Sequence, residues 1–471
     1  MPNSVRTLFD LAHWQSRLDS LRAEHRVPGA TLAVLVDGEL HELASGILHR
    51  GTGVETTTDS VFQLGSVAKV YTAALVMGLA EEGRLDLDAP VIEVLPEFAT
   101  VDPDATRTIT ARRLLSHTSG LTCDFTDDTG RGDDCLAKYV EAARGVAMDC
   151  PPGTAASYSS VGYNVLGRII EVLTGLTWDN ALRERLIAPL GLAETMTLPE
   201  EALRFRVAMG HLGQDPEPTA AWDLMPRNAG PYGRVLATAG DVVRFARMLL
   251  DGTAADGTRV LAEDTVTAMR RREVEVPDKW TLGSDGWGLG LSIYDWNGVS
   301  GFGHNGSSIG QRSYLRVVPE AGLAFALLTN HGTTDRLYND LSRELLGELA
   351  GVQVPADFAP PPSPPSANVA PFAGTYRREG VIITVAEKAG KLHFVYEFAD
   401  ALKGIAPPIE ADLVPVSDNV FAGRNSMFGD DWMPVLFSKL PDGTEYCYTG
   451  MRVAPKITEF RADGEPVGAS G

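Results

Sequence analysis

Leu64-Gly65-Ser66-Val67-Ala68-Lys69-Val70-Tyr71-Thr72-Ala73 places a serine hydroxyl three residues before a lysine amine. On a helix that spacing sets both side chains on one face, one above the other. A helix is expected because Val70, Ala74 and Met77 recur at helical spacing and Gly83 follows Glu81-Glu82 as a stop. Ser66 reads as its N-terminal cap, at the positive end of the helix dipole. A serine hydroxyl is a weak nucleophile until a base takes its proton. A lysine, ordinarily of pKa about 10.4, serves as that base only where burial or neighbouring positive charge weakens its hold on the proton. S-x-x-K fixes two positions only and is commonly a capping serine beside a solvated lysine, so the assignment needs further segments.

Two segments supply them. After Pro151-Pro152-Gly153, Ala156-Ser157-Tyr158-Ser159-Ser160-Val161-Gly162-Tyr163-Asn164 runs from a loop into an apolar helix that reaches Glu171. Much later, Gly303-His304-Asn305-Gly306-Ser307 leads into an alternating strand from Arg312 to Val318, which turns at Pro319-Glu320-Ala321-Gly322 into a second strand from Leu323 to Leu328. With these three segments the chain resembles the serine β-lactamase and penicillin-binding-protein superfamily, in its branch of class C β-lactamase-like esterases, D-peptidases and acyltransferases. The elements of that family are S-x-x-K, Y-x-N and K-T-G or H-x-G, in this order. Leu114-Leu115-Ser116-His117-Thr118-Ser119-Gly120-Leu121 and Ala188-Pro189-Leu190-Gly191-Leu192 also resemble family phrases, and the resemblance spans residues 10 to 350.

The resemblance implies Ser66 as the acylated nucleophile, Lys69 as general base or proton shuttle, and Tyr158 as the group that relays protons and protonates the leaving group. It implies an oxyanion hole from the backbone N–H groups of Ser66 and Ser307, each such donor worth about 3 kcal/mol when the carbonyl oxygen becomes charged. His304 and Gly306 match H-x-G on the strand lining the cleft, with Asn305 at the variable position. One position departs from the pattern: Ser160 stands where the family usually has Asn. Its shorter hydroxyl offers no carboxamide to lysine and substrate, so a water or an altered acyl-group contact is expected there. Asn164, one turn further on, reads as a structural helix residue. His304 in place of the K-T-G lysine carries chemical meaning as well. A histidine of ordinary pKa about 6.5 is mostly neutral at pH 7, so carboxylate-bearing β-lactams and peptide termini lose part of an anchor, and a neutral or amine-bearing acyl donor fits better.

Other patterns are set aside on physical grounds. Gly306-Ser307-Ser308-Ile309-Gly310 matches G-x-S-x-G, but a nucleophile elbow needs a helix after it, and here a strand follows, so Ser308 is not the nucleophile. Gly301-Phe302-Gly303-His304-Asn305-Gly306 spells G-x-G-x-x-G but opens no helix whose dipole would bind a pyrophosphate. His117 is a base by type, and the resemblance makes it a structural turn residue.

A chain of 471 residues has length for two to three domains. Its net charge of −21 disfavours nucleic acid or an anionic membrane surface as a partner. Phe9 to His25 reads as an amphipathic helix rather than the apolar core of a signal peptide, and no run of about eighteen apolar residues is present, so a cytoplasmic location is expected. Cys123, Cys135, Cys150 and Cys447 are too few and too unevenly spaced for a disulfide framework or a zinc site. Reduced thiols are the default, although a bridge between Cys123 and Cys135 is sterically open. Those two bracket an acidic loop whose Asp127, Asp128, Asp133 and Asp134 read as solvated surface, or as an attraction for a cationic substrate.

Thr31 to Val36, Asp37-Gly38 and Glu39 to Ser45 read as a hairpin that the strands around Val317 and Phe325 join in one antiparallel sheet. Ala359-Pro360-Pro361-Pro362-Ser363-Pro364-Pro365-Ser366 is a stiff extended spacer. Beyond it, short alternating runs (Val381 to Val385, Leu392 to Phe398, Val435 to Phe437, Tyr446 to Tyr448) predict a small antiparallel barrel. Phe372-Ala373-Gly374-Thr375-Tyr376 resembles the opening of a lipocalin-like domain found on some D-aminopeptidases and peptide-cyclising members of the family. The expected architecture is α/β (α+β): a β-lactamase and penicillin-binding-protein-like fold of antiparallel sheet plus helical lobe over residues 1–355, a linker over 356–368 and a barrel over 369–471. The expected activity is that of a serine hydrolase or acyltransferase acting on a small ester, D-amino amide or peptide-like donor, without metal or cofactor. A stand-alone thioesterase or peptide cyclase with an amine or carrier-bound partner is the alternative within the family, and a catalytically silent binding protein the alternative outside it.

Overall fold

The computed structural model describes residues 9–425, 431–440 and 442–458. They form two compact units, one from the residues up to 85 with 174–271 and 290–355, the other from 86–173, 272–289 and the residues from 356 onward.

The first unit is built on an antiparallel sheet with strands in the order Glu39–His49, Gly29–Val36, Leu323–Thr329, Gln311–Val318, Val299–Ser308, Ser292–Trp296. Its hairpin turns at Asp37 and Gly38, with φ of 52° and 81°, the pair of left-handed residues that a tight turn matched to strand twist requires. Gly29–Val36 and Leu323–Thr329 are buried along their whole length, which means both faces are covered. Leu32, Val34, Phe325 and Leu327 meet Trp14, Leu18 and Leu21 of the helix Leu11–Glu24 and Leu337, Leu341 and Leu345 of the helix Asp335–Ala350. Helix Ala239–Asp251 also packs against these two strands, and there Phe245 stacks on Tyr71 of the motif helix with ring centroids 3.8 Å apart. The expected helices stand where the sequence places them, with one detail corrected. Gly65–Val67 is a 3₁₀ turn, the α-helix runs Ala68–Glu81, and Val67 occupies the cap position with no side-chain bond. Ser66 is therefore not a cap: Gly65, at φ 52°, turns the chain early enough that Ser66 already lies within the helical turn and its hydroxyl faces Lys69.

The second unit combines a helical lobe with the barrel. The lobe includes the helices Pro103–Thr108, Ala111–Leu115, Cys135–Ala142 and Val161–Thr174. Residues 351–369 carry no helix or strand. Eight strands, Gly374–Arg378, Val381–Lys388, Lys391–Phe398, Ile409–Pro415, Val420–Asn425, Asp431–Lys439, Glu445–Thr449 and Arg452–Thr458, then close into a barrel in sequence order. Tyr376, Ile383, Phe394, Phe421, Val435 and Phe437 are among the side chains that fill its interior, so the barrel is a packed core rather than a ligand cup. Its outer face, through Val420, Tyr446, Tyr448 and Val453, packs on Cys150 and Ala155 of the lobe. Cys123, Cys135, Cys150 and Cys447 are all buried and none is joined in a disulfide. Among the described residues no helix is long and apolar enough to cross a membrane.

Candidate active site

In the first unit the motif turn is sewn to the sheet. Ser313 Oγ donates to Leu64 O at 2.6 Å, and strand Val299–Ser308 passes so close that a Cβ on Gly306 would lie 1.9 Å from Leu64 O. A Cβ on Gly65 would lie 2.5 Å from Ser307 N. These two glycines let the start of the motif helix and the backbone of Ser307 approach each other, as two backbone donors on one oxyanion require. Lys69 is fully buried, with Nζ 3.4 Å from Ser66 Oγ. It donates to Tyr232 O at 2.9 Å, and Tyr232 presents its ring 5.2 Å from the same amine. Thr72 holds that segment from the next turn, its hydroxyl donating to Pro231 O at 2.7 Å and accepting from Trp178 Nε1 at 3.1 Å.

His304 is buried and its pKa is pushed down to about 3, first by burial and then by the charge of Lys69. Nδ1 lies 2.6 Å from Asn305 O, which assigns the proton of the neutral ring to Nδ1. The imidazole is thus a neutral wall of the site across the physiological range. Asn305 is half-buried, and its Oδ1 has no hydrogen-bond partner among the described residues. The hydroxyl of Ser308 is engaged with Gln63 Oε1, and the strand Gln311–Val318 follows it, so neither helix nor free nucleophile is present there.

Tyr158 and Ser160 lie in the second unit. Tyr158 is buried, its ring 4.4 Å from His117 and 5.5 Å from Trp287. His117, at φ 57°, accepts from Ser159 N through Nδ1 at 3.1 Å, so it holds the tyrosine turn in shape. Ser160 Oγ is 3.4 Å from Cys123 Sγ, and Arg452 Nη2 donates to the same sulfur at 3.0 Å. Asn164 is fully buried in the helix that follows, with neither carboxamide atom hydrogen-bonded among the described residues. Asp124 of the acidic loop pairs with Arg378 of the barrel. Among the described residues no group of three or more His, Cys, Asp or Glu is arranged to hold a metal ion.

Sequence reasoning missed Tyr232 and Arg452, and it read Cys123 only as a thiol that brackets the acidic loop. The tight Gly230-Pro231-Tyr232-Gly233 turn was a usable local signal for the first, whereas nothing near Arg452 marks it, since Cys123, which it grips, lies 329 residues away in the chain.

The fold is that of the β-lactamase-like hydrolases. The chain belongs to the Beta-lactamase family, whose model matches residues 14–348. It is 64% identical over 376 residues to "Penicillin-binding protein 4" of Amycolatopsis lactamdurans, covering 79% of this chain and 99% of that relative. Its fold is similar to that of SurE solved with D-Leu, with a TM-score of 0.76 and 29% identity over 95% of this chain and 99% of that one. It is also similar to the D-amino acid amidase from Ochrobactrum anthropi SV3 complexed with L-phenylalanine amide, with a TM-score of 0.62 and 25% identity over 73% of this chain and 99% of that one.

Proposed function

We propose that the chain is a serine acyl-enzyme hydrolase or acyltransferase acting on small neutral or amine-bearing donors, with D-configured amides, esters and peptides as the substrate class. The observation that carries this reading is Ser66 Oγ at 3.4 Å from the amine of a fully buried lysine. At that separation the uncharged form of the amine can take the serine proton directly. In the proposed sequence Lys69 accepts the Ser66 proton as Oγ adds to the donor carbonyl. The backbone N–H groups of Ser66 and Ser307 hold the oxyanion, and Tyr158 returns a proton to the departing amine or alcohol. Water or an external amine then attacks the acyl-serine by the reverse route.

His304 supports neutral donors, because a neutral imidazole provides no fixed cation for a substrate carboxylate. The D-configured preference rests on the relatives, one an amidase of D-amino acids and another solved with D-Leu. A fluorophosphonate probe on intact protein, read by mass spectrometry, tests the nucleophile: one adduct on Ser66, absent in Ser66→Ala, is expected. An adduct on Ser308 refutes the assignment of the nucleophile, and no adduct on a folded protein leaves a binding protein. Paired D- and L-amino amides and esters, with and without added amine, then separate hydrolysis from acyl transfer.

A further inference from the structure

The last hairpin of the barrel reaches the tyrosine segment within the second unit. Its turn, Gly450-Met451, has both residues in the left-handed region at φ 57° and 70°, and a methionine held there is strained. That turn aims Met451 O at Tyr158 N, 3.0 Å away, while Val453 N donates to Ser157 Oγ at 3.3 Å. Between these two contacts Arg452 extends its guanidinium over the Tyr158 ring, with Cζ 5.4 Å from the centroid. Nη1 is fastened to Gly450 O at 2.8 Å and Nη2 to Cys123 Sγ at 3.0 Å.

We infer that Arg452 is a positioning residue for Tyr158, fixing the ring through the hairpin and favouring its ionised form by a cation over the ring face. This rests on the proposed role of Tyr158 as the proton carrier. A guanidinium within about 6 Å of an aromatic face is attracted to the neutral ring, and more strongly to a phenolate. The local charges leave Arg452 free to act in this way. Asp124 lies 4.0 Å from Arg452 Nε but is hydrogen-bonded directly to Arg378, whose other amine donates to Tyr396 Oη at 2.9 Å. One carboxylate therefore serves two guanidinium groups. The other titratable groups facing the cluster are His117 and Tyr163 beside the Tyr158 ring, and Cys123, Asp149 and Tyr448 around Arg452. Burial works against the Arg452 charge, yet Cys123, Tyr396 and Tyr158 together hold it. Ser160 fits the same arrangement: its small side chain hydrogen-bonds the sulfur that Arg452 grips.

The test is the acylation rate against pH with an uncharged aryl ester, for the unaltered protein and for Arg452→Met, Arg452→Lys and Tyr158→Phe, each checked for folding by near-UV circular dichroism. The expected result is that Tyr158→Phe removes one limb of the profile and Arg452→Met moves that limb to higher pH by about one unit. Arg452→Lys restores most of the shift. A limb lost in Tyr158→Phe but unmoved in Arg452→Met overturns the inference alone. So does a loss in Arg452→Met that is equal at every pH, or one confined to KM for carboxylate-bearing donors, which would make Arg452 a substrate contact. A limb that survives in Tyr158→Phe removes the proposed role of Tyr158 and the inference with it.

Discussion

Gly306→Ala adds one methyl group at the place where the sheet meets the motif turn. Its Cβ would lie 1.9 Å from Leu64 O and 2.3 Å from Ser313 Oγ, where real Cβ contacts under 3.0 Å essentially never occur. The first obstacle is backbone, already fixed by the 2.6 Å bond from Ser313, so no rotamer change relieves it. Strand and turn must separate by about 1 Å, and such overpacking costs about 1–3 kcal/mol of stability. The same movement parts the backbone donors of Ser66 and Ser307. A misplacement of about 1 Å costs about 10²-fold in rate, and loss of one oxyanion donor about 10²–10³. The variant is expected to remain folded with a lowered Tm and to acylate about 10²–10³ times more slowly, measured by timed mass spectrometry with the fluorophosphonate probe and by ester turnover. Acylation within a few-fold of the unaltered protein, in a folded variant, would show that the approach of these two segments does not support the chemistry.

Lys69→Met keeps the volume of the side chain and removes the proposed base, so acylation should slow by about 10²–10⁴ without loss of fold, and near-normal acylation would transfer the role of base to another group. His304 has a folded pKa of about 3 against an ordinary 6.5, so between those values the unfolded chain binds the proton and the folded chain does not. Stability should therefore fall as pH drops below 6.5, by about 2 kcal/mol between pH 7 and pH 5, and urea unfolding of His304→Gln should lack this component. Asp149 has the opposite sign: burial, against the pull of Ser157, Thr122 and Arg452, raises its pKa to about 7 from 3.8. The folded state keeps a proton that the unfolded state has lost, so stability should decline as pH rises from about 4 to 7, and Asp149→Asn should flatten that decline in an unfolding series.

Local sequence determined the elements of the first unit and the spacing of its candidate catalytic pair. Asp37-Gly38 specified a hairpin because few other pairs tolerate two left-handed residues, and the spacing of Ser66 and Lys69 placed both on one face because a helical turn is about 3.6 residues. The alternating runs beyond the Pro-rich segment foretold a barrel, since side-chain period in a strand is a local property. Tertiary structure decided the rest. Ser66 became part of a 3₁₀ turn rather than a cap because Leu64 and Gly65 are pinned by residues 306, 307 and 313. His304 became neutral across the physiological range because burial and the charge of Lys69, neither legible at its position, oppose its charge. Arg452 reached Cys123 and Tyr158 from the last hairpin of the barrel, and no short-range pattern encodes a contact across 329 residues.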